Sequence, residues 1–359
     1  MVTPYRKPLF EALAEDERID QLRVLVCTDR EVDRHWKVES AASYEVKRLG
    51  GFTINFRRNG RGLRILHLRL GIFWELLRDR PDVLIIGDAS WTAYFAVIGC
   101  LFFNIPYVVW SEITTSSQVR RGLLSKLRRF IFSRARACIA SGSLAQDFLL
   151  QHGCRPDKIT IARNAVDNDF FLRQRRLLEP KREEIRRELG IHPDAFVLLY
   201  VGQLISRKRI METLEACAYA SKDYRLHLLI AGVGPLKQAL VRRAKEVGLE
   251  RVHFLGFVEE QKLCQFYAAS DGLVLLSDDE PWGMVINEAM LFGKPYLATT
   301  DVAAAVEFAD QGAGYLISDM SRLGDVFNEF VKGASSYKNQ NFILPDAHDM
   351  SSAFIRALK

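Results

Sequence analysis

Short runs of aliphatic and β-branched residues recur along the chain, and stretches with apolar positions three or four apart stand between them. LRVLVC (22–27), PDVLIIG (81–87), YVVWS (107–111), ACIAS (137–141) and KITIARNAV (158–166) read as strands. GLRILHLRLGIFWELLRDR (62–80) reads as a region with helix near its end. WTAYFAVIGCLFF (91–103), LLSKLRRFIFSRA (123–135) and SLAQDFLLQHG (143–153) read as helices. A second series begins at AFVLLYVG (195–202) and continues through RLHLLIAG, RVHFLG, DGLVLLS, KPYLAT and AGYLI. These strands are apolar throughout, as in parallel sheets covered by helices on both faces. The pattern predicts an α/β chain of two doubly wound domains.

Between the two series lies RQRRLLEPKREEIRRELG (173–190), heavily charged and carrying Pro180. It reads as an interdomain connection ending in a polar helix. The expected division is 1–172, the connection 173–190, a second domain 191–340, and a segment 341–359 packing back on the first domain. In such sheets ligands bind beyond the carboxyl ends of the strands, where loops enter helices.

A length of 359 residues suits two domains better than one core. Net charge is +6, which points to an anionic partner without choosing it. The six cysteines form no CxxC or metal-ligand spacing and read as small core residues in a reducing, cytoplasmic compartment. ASWTAYFAVIGCLFFNIPYVVWS (89–111) holds no charge, but Asn104-Ile105-Pro106 divides it, which favours a core helix and a strand over a membrane span. No histidine occupies a position that suggests catalysis.

EPWGMVINEAM (280–290) sets a glutamate in an apolar run. On a helix the neighbours of Glu288 at three and four positions are Met284, Val285, Leu291 and Phe292, so this is not a solvated face. Gly283 can bring backbone close to a ligand, and the amides of Met284 and Val285 would open the helix as an anion site. Glu280 could reach hydroxyls nearby, and Glu288 could take a diol. Equally, Glu288 could pair with an Arg or Lys inside the domain; spacing alone leaves both open. YVGQLISRKRI (200–210) adds a strand, a glycine turn at Gly202 and Gln203, and the cations Arg207, Lys208 and Arg209. LLIAGVGPL (228–236) adds a turn containing Gly234; its glycine spacing is wrong for a dinucleotide motif.

These motifs, in this order over the last half of the chain, resemble the retaining glycosyltransferases of family 4, which have the GT-B fold of two Rossmann-like domains facing across a cleft. TPYRKPLFEALAED and RNAVDNDFF, with Asn164 and Asp167, resemble the family more loosely. The resemblance implies a nucleotide-sugar donor, UDP- or GDP-linked, bound as substrate with no cofactor and no metal. Glu288 would bind the ribose and Lys208, helped by Arg207, the diphosphate. The Gly202–Gln203 and Gly234 turns would line the donor. Gly283, Met284 and Val285 would offer backbone contacts, and Glu280 would hold the sugar. Glu112, ending a strand in WSEIT, would face the donor sugar; a solvated loop glutamate is the plainer reading.

The chain departs from the family pattern at Gln203, where arginine is usual, at Arg209, where glycine is usual, and at Ala303-Ala304, where a glycine pair is usual. The last change predicts a differently shaped loop. Relatives also have a strand and loop before TPYR, so the first domain is expected to lack its first strand. RRGLLSKLRRFIFSRARA (120–137) mixes cations with apolar residues and suits an anionic membrane surface, as for lipid-linked or glycan acceptors in polysaccharide or glycolipid synthesis. No base-reading signature supports nucleic acid. The alternative is a catalytically inactive GT-B protein that binds a nucleotide or partner.

Overall fold

The computed structural model describes residues 2–28, 43–58, 62–87, 90–117, 123–337 and 340–359. The chain divides into two compact units, one of residues 1–115, 119–165 and 345–359, the other of 116–118 and 166–344.

The first unit opens with helix α1 (Lys7–Ala14) and a parallel pair, β1 (Arg23–Val26) and β2 (Glu45–Arg48). An antiparallel hairpin follows, β3 (Phe52–Arg58) with β4 (Gly62–Leu68), which the apolar pattern had not separated from helix α2 (Gly71–Arg78). Strands β5 (Leu84–Gly87), β6 (Tyr107–Ser111), β7 (Ala137–Ala140) and β8 (Ile159–Ile161) form a parallel sheet in that order. Their connections are α3 (Trp91–Phe103), α4 (Leu123–Arg134) and α5 (Ser143–Gln151). Helix α3 starts where the Ser90 hydroxyl caps the Ala93 amide and ends at Asn104, the left-handed residue before Pro106. The uncharged stretch is therefore a thirteen-residue helix and a strand. Among the described residues no helix is long and apolar enough to cross a membrane.

The second unit contains 173–190, which is not a free connection. Helix α6 (Asn168–Leu178) and helix α7 (Arg182–Glu188) pack into it. Arg175 and Arg186 are buried. Asp271 accepts from Arg182 at 2.6 Å and Arg186 at 2.7 Å. Three of its arginines, Arg175, Arg182 and Arg186, go into ion pairs and buried carbonyls, which a charge count along the chain does not reveal.

Six parallel strands make the second sheet, in the order β11-β10-β9-β12-β13-β14. They are β9 (Phe196–Val201), β10 (Leu226–Ala231), β11 (Val252–Gly256), β12 (Gly272–Leu275), β13 (Tyr296–Thr299) and β14 (Gly314–Ile317). The helices between them are α8 (Ile210–Ala220), α9 (Lys237–Glu246), α10 (Glu260–Ala269), α11 (Met284–Leu291) and α12 (Ala303–Glu307), with α13 (Leu323–Gly333) after β14. Leu198, Leu228, Ile230 and Val274 meet Leu214, Leu240 and Phe330 on one face. The chain order reverses at β9, whose neighbours are β10 and β12. In open α/β sheets such a switch point is where ligands bind, beyond the strands' carboxyl ends.

The last helix, α14 (Ala347–Leu358), belongs to the first unit, where Met350 and Phe354 pack with Leu9, Leu13, Val108 and Ile139. A capping box at Asp346 and Asp349 starts it.

Candidate functional site

Two loops meet at the switch point of the second sheet. One leaves β9 and forms a single turn, Ser206–Lys208, before α8; the other runs from β12 to α11. Lys208 Nζ and Glu280 Oε2 form an ion pair between them, both side chains largely buried. Around it the loops are sewn together. The Asp278 amide donates to the Arg207 carbonyl at 2.8 Å and the Ser277 hydroxyl donates to the same oxygen at 3.3 Å. The Arg207 guanidinium, itself exposed, donates to the Asp279 carbonyl. Arg209 pairs with Asp278.

Arg209 has φ 46° and ψ 37°, the left-handed region. The position where the resemblance implies glycine has a left-handed backbone although an arginine fills it. That costs about 1–2 kcal/mol, and the contact with Asp278 offsets part of it. Asp278 and Glu280 face cations. Among the described residues no group of three or more His, Cys, Asp or Glu could hold a metal ion.

Gly283, at φ 96°, caps α11 in a conformation an L-residue adopts only under strain, and a Cβ there would lie 3.0 Å from Val302 and 3.3 Å from the Glu280 side chain. Met284 and Val285 are half-buried in the first turn, where helix amides have no carbonyl behind them. Glu288 is 1% exposed, and the Tyr267 hydroxyl donates to its Oε2 at 2.7 Å. A phenol from α10 is thus one partner of this buried carboxylate. Trp282 Nε1–H donates to Asn287 Oδ1 at 2.9 Å, which ties the loop to the helix it enters. Glu280 and Glu288 hang from one strand-loop-helix junction, with Lys208 in contact with the first of them.

The Gly202–Gln203 turn borders this edge. The Tyr200 hydroxyl donates to the Gln203 carbonyl at 2.9 Å, while the Gln203 side chain is exposed. The turn after β10 lies on it: a Cβ at Gly232 would overlap the Gly202 carbonyl, and one at Gly234 would collide with Leu204. Gly234 therefore has a packing reason to be glycine, and Gly232, which the motif reading passed over, has a stronger one.

Residues 181–341 match the family described as glycosyl transferases, group 1. The second unit is a group 1 glycosyltransferase domain. An uncharacterised glycosyltransferase of Methanocaldococcus jannaschii is 27% identical over 233 residues, which are 62% of this chain and 58% of that protein. The D-inositol 3-phosphate glycosyltransferase of Thermomonospora curvata is 29% identical over 48% of this chain and 43% of that protein. The chain thus spans about half the length of these relatives. Among solved structures, Anabaena HepE in complex with UDP and glucose superposes with a TM-score of 0.67 at 20% identity, covering 99% of this chain and 91% of that one. WaaG, a glycosyltransferase involved in lipopolysaccharide biosynthesis, superposes at 0.66 with 18% identity, covering 98% and 94%. The fold is GT-B.

Two features of the glycosyltransferase pattern take a different form here. Ala303 and Ala304 begin α12 in helical conformation, and their amides donate to the carbonyls of Glu280 (3.2 Å) and Trp282 (2.9 Å). These bonds brace the acidic loop. Glu112 belongs to the first unit and is not a solvated loop residue. Arg6 Nη2 meets its Oε1 at 2.5 Å, the Asn164 amide donates to the same oxygen, and Arg6 also donates to Asn164 Oδ1 at 3.0 Å. The Arg6 guanidinium stacks 4.0 Å from the Trp110 ring centre. Asp167 caps α6 through the Phe170 amide at 2.8 Å. Tyr267, Asp278, Gly232 and Arg6 were not read from the sequence. Only Asp278 left a signal, the acidic run SDDE at 277–280, and its pairing with Arg209 appears only in the fold.

Proposed function

We propose that this chain is a retaining glycosyltransferase that moves a sugar from a UDP- or GDP-linked donor to a glycan or lipid-linked acceptor in cell-surface polysaccharide or glycolipid synthesis. The observation that carries the reading is the Lys208–Glu280 pair at the switch point, beside the α11 amides and on the same junction as Glu288. Lys208 and Arg207 take the diphosphate, and the amides of Gly283, Met284 and Val285 take its distal oxygens. Glu288 accepts from the ribose hydroxyls and Glu280 from those of the sugar. The bond between the anomeric carbon and the diphosphate oxygen breaks, and the acceptor oxygen bonds to the same face of that carbon. The acceptor's proton passes to the leaving phosphate. Fixed cations and amides stabilise the charge that develops there, so the step is written without a metal and without a protein base. HepE was crystallised with UDP and glucose, which makes a UDP-hexose the first donor to try. The basic stretch at 120–137, whose residues 120–122 lie outside those described, is assigned to contact with an anionic membrane surface.

The test is a panel of UDP-, GDP- and ADP-sugars with an acceptor extract, reading nucleoside diphosphate release. One donor should be turned over, and Glu280→Gln should slow release about 100-fold or more. A nucleotide that raises the melting temperature with no release from any sugar would instead favour a silent nucleotide-binding protein. No stabilisation by any nucleotide would overturn both.

A further inference from the structure

We propose that the first unit docks on an anionic lipid bilayer by inserting an apolar ridge formed by α2 and α3, beside the cations of α4. The proposal rests on the peripheral-membrane reading above; it keeps the cations of α4 and adds an apolar contact on α2 and α3, with a different physical origin.

Helix α3 carries no charged residue and is apolar around its whole circumference, a composition found in helices covered on all sides. One side of it is open. Phe102 is 80% exposed, and Trp91, Ile98 and Leu101 are exposed with it. Helix α2 runs alongside: Leu76 and Phe73 pack against Gly99, and the Phe73 and Phe95 rings lie 6.4 Å apart. Its own outer stripe is apolar too, with Leu70, Trp74 and Leu77 at helical spacing and Trp74 62% exposed. Phe52, on the strand paired with Leu68, is exposed near the start of that stripe. Scattered exposed hydrophobics are ordinary, but a contiguous set with two tryptophans and two phenylalanines marks a contact surface.

The charges choose the occupant. Ile131 and Phe132 of α4 pack in the same core cluster as Tyr94, Val97 and Cys100 of α3, so both helices cover one face of the sheet. The exposed side of α4 presents Lys126, Arg129 and Arg134, and neither α3 nor α4 contains an acidic residue. At the end of α2, Arg78 and Arg80 are exposed; Asp79 is paired with Arg23, and Asp82 is the exposed acid nearby. A second copy docking by the same face in two-fold symmetry would bring these cations against one another. A bilayer of anionic lipid accepts both parts, headgroups against α4 and the acyl boundary against Trp74 and Phe102.

The experiment measures sedimentation of the full chain with phosphatidylcholine vesicles, with and without phosphatidylglycerol, at low and high salt. Trp74→Ser/Phe102→Ser is compared with Lys126→Glu/Arg129→Glu. Wild type should bind the anionic vesicles and keep part of that binding in high salt. The serine variant should lose at least about tenfold in partitioning, including all of the salt-resistant part. The glutamate variant should lose only the salt-sensitive part. Both sets of side chains are exposed, so melting temperature and its rise with nucleotide should be unchanged in each. Quenching of wild-type tryptophan fluorescence by brominated lipid supports insertion without any variant. Serine-variant binding equal to wild type would overturn the ridge while leaving electrostatic contact through α4 standing. No binding of wild type to any vesicle would overturn both. A wild-type dimer abolished by the serine substitutions would make the occupant a second copy.

Discussion

Two carboxylates were singled out at strand ends, Glu280 in the second unit and Glu112 in the first, and their surroundings differ in kind. Glu280 meets one lysine, and its loop is braced by backbone bonds to Arg207, Asp301 and Ala303. Its partner and its neighbours, Gly283 and the first turn of α11, have the chemistry to take a phosphate and a diol. Glu112 is shared between an arginine and an amide that also bond to each other. The first arrangement pairs opposite charges that a bound anion and a polyol could each take over. The second is a triad whose members bond to one another. A glutamate at the end of a strand is therefore not enough to mark a site; what its partners could do without it decides.

The comparison can be broken most sharply at Lys208. Its removal leaves a largely buried carboxylate uncompensated, so Lys208→Ala should cost about 3–5 kcal/mol in urea unfolding of the second unit. Lys208→Ala/Glu280→Ala should recover much of that loss. If the double variant is as unstable as the single, the pair is not what holds these loops together. At Glu288 the expected effect is smaller. Tyr267→Phe removes the hydroxyl that donates to it and should cost about 1–3 kcal/mol, with nucleotide affinity falling because the carboxylate is no longer aimed.

Glu112→Gln probes the other side. It keeps the shape of the triad and removes one charge, so stability should fall by about 1 kcal/mol with nucleotide-dependent stabilisation intact. Loss of sugar transfer at undiminished nucleotide binding would move Glu112 from the structural column to the reacting one.

An effect of a different kind, read in pH rather than in denaturant alone, concerns Lys294, buried after α11. Burial, and then the neighbouring Arg182, lower its pKa from 10.5 to about 7. The folded chain then holds fewer protons than the unfolded chain between those values, so this group makes stability rise with pH from about 7 to about 10.5. Lys294→Met should flatten that rise in urea midpoints taken at pH 7 and pH 10, and an unchanged slope would refute the assignment.

How much of this was legible follows from distance along the chain. The second site is built from two short stretches, 202–209 and 277–288, on neighbouring strands, and its residue types stand next to each other in the sequence. The triad at Glu112 joins residues 6, 112 and 164, and no local pattern links them. Tyr267 lies on an apolar helix face, where a tyrosine reads as core until its hydroxyl is seen. The polar helices of 173–190 failed for the same reason in reverse: Arg175, Arg182 and Arg186 look solvated until Glu179 and Asp271 are found beside them. Arg209 shows a further limit, since a residue type unsuited to a left-handed turn did not prevent the turn.

The central claim is that the switch point of the second sheet grips a nucleoside diphosphate, and thermal unfolding with increasing UDP or GDP tests it most directly. Wild type and Glu112→Gln should both gain melting temperature with nucleotide concentration, and Lys208→Ala/Glu280→Ala, folded but stripped of the pair, should gain none. Equal stabilisation of the double variant would place the nucleotide elsewhere and contradict the account.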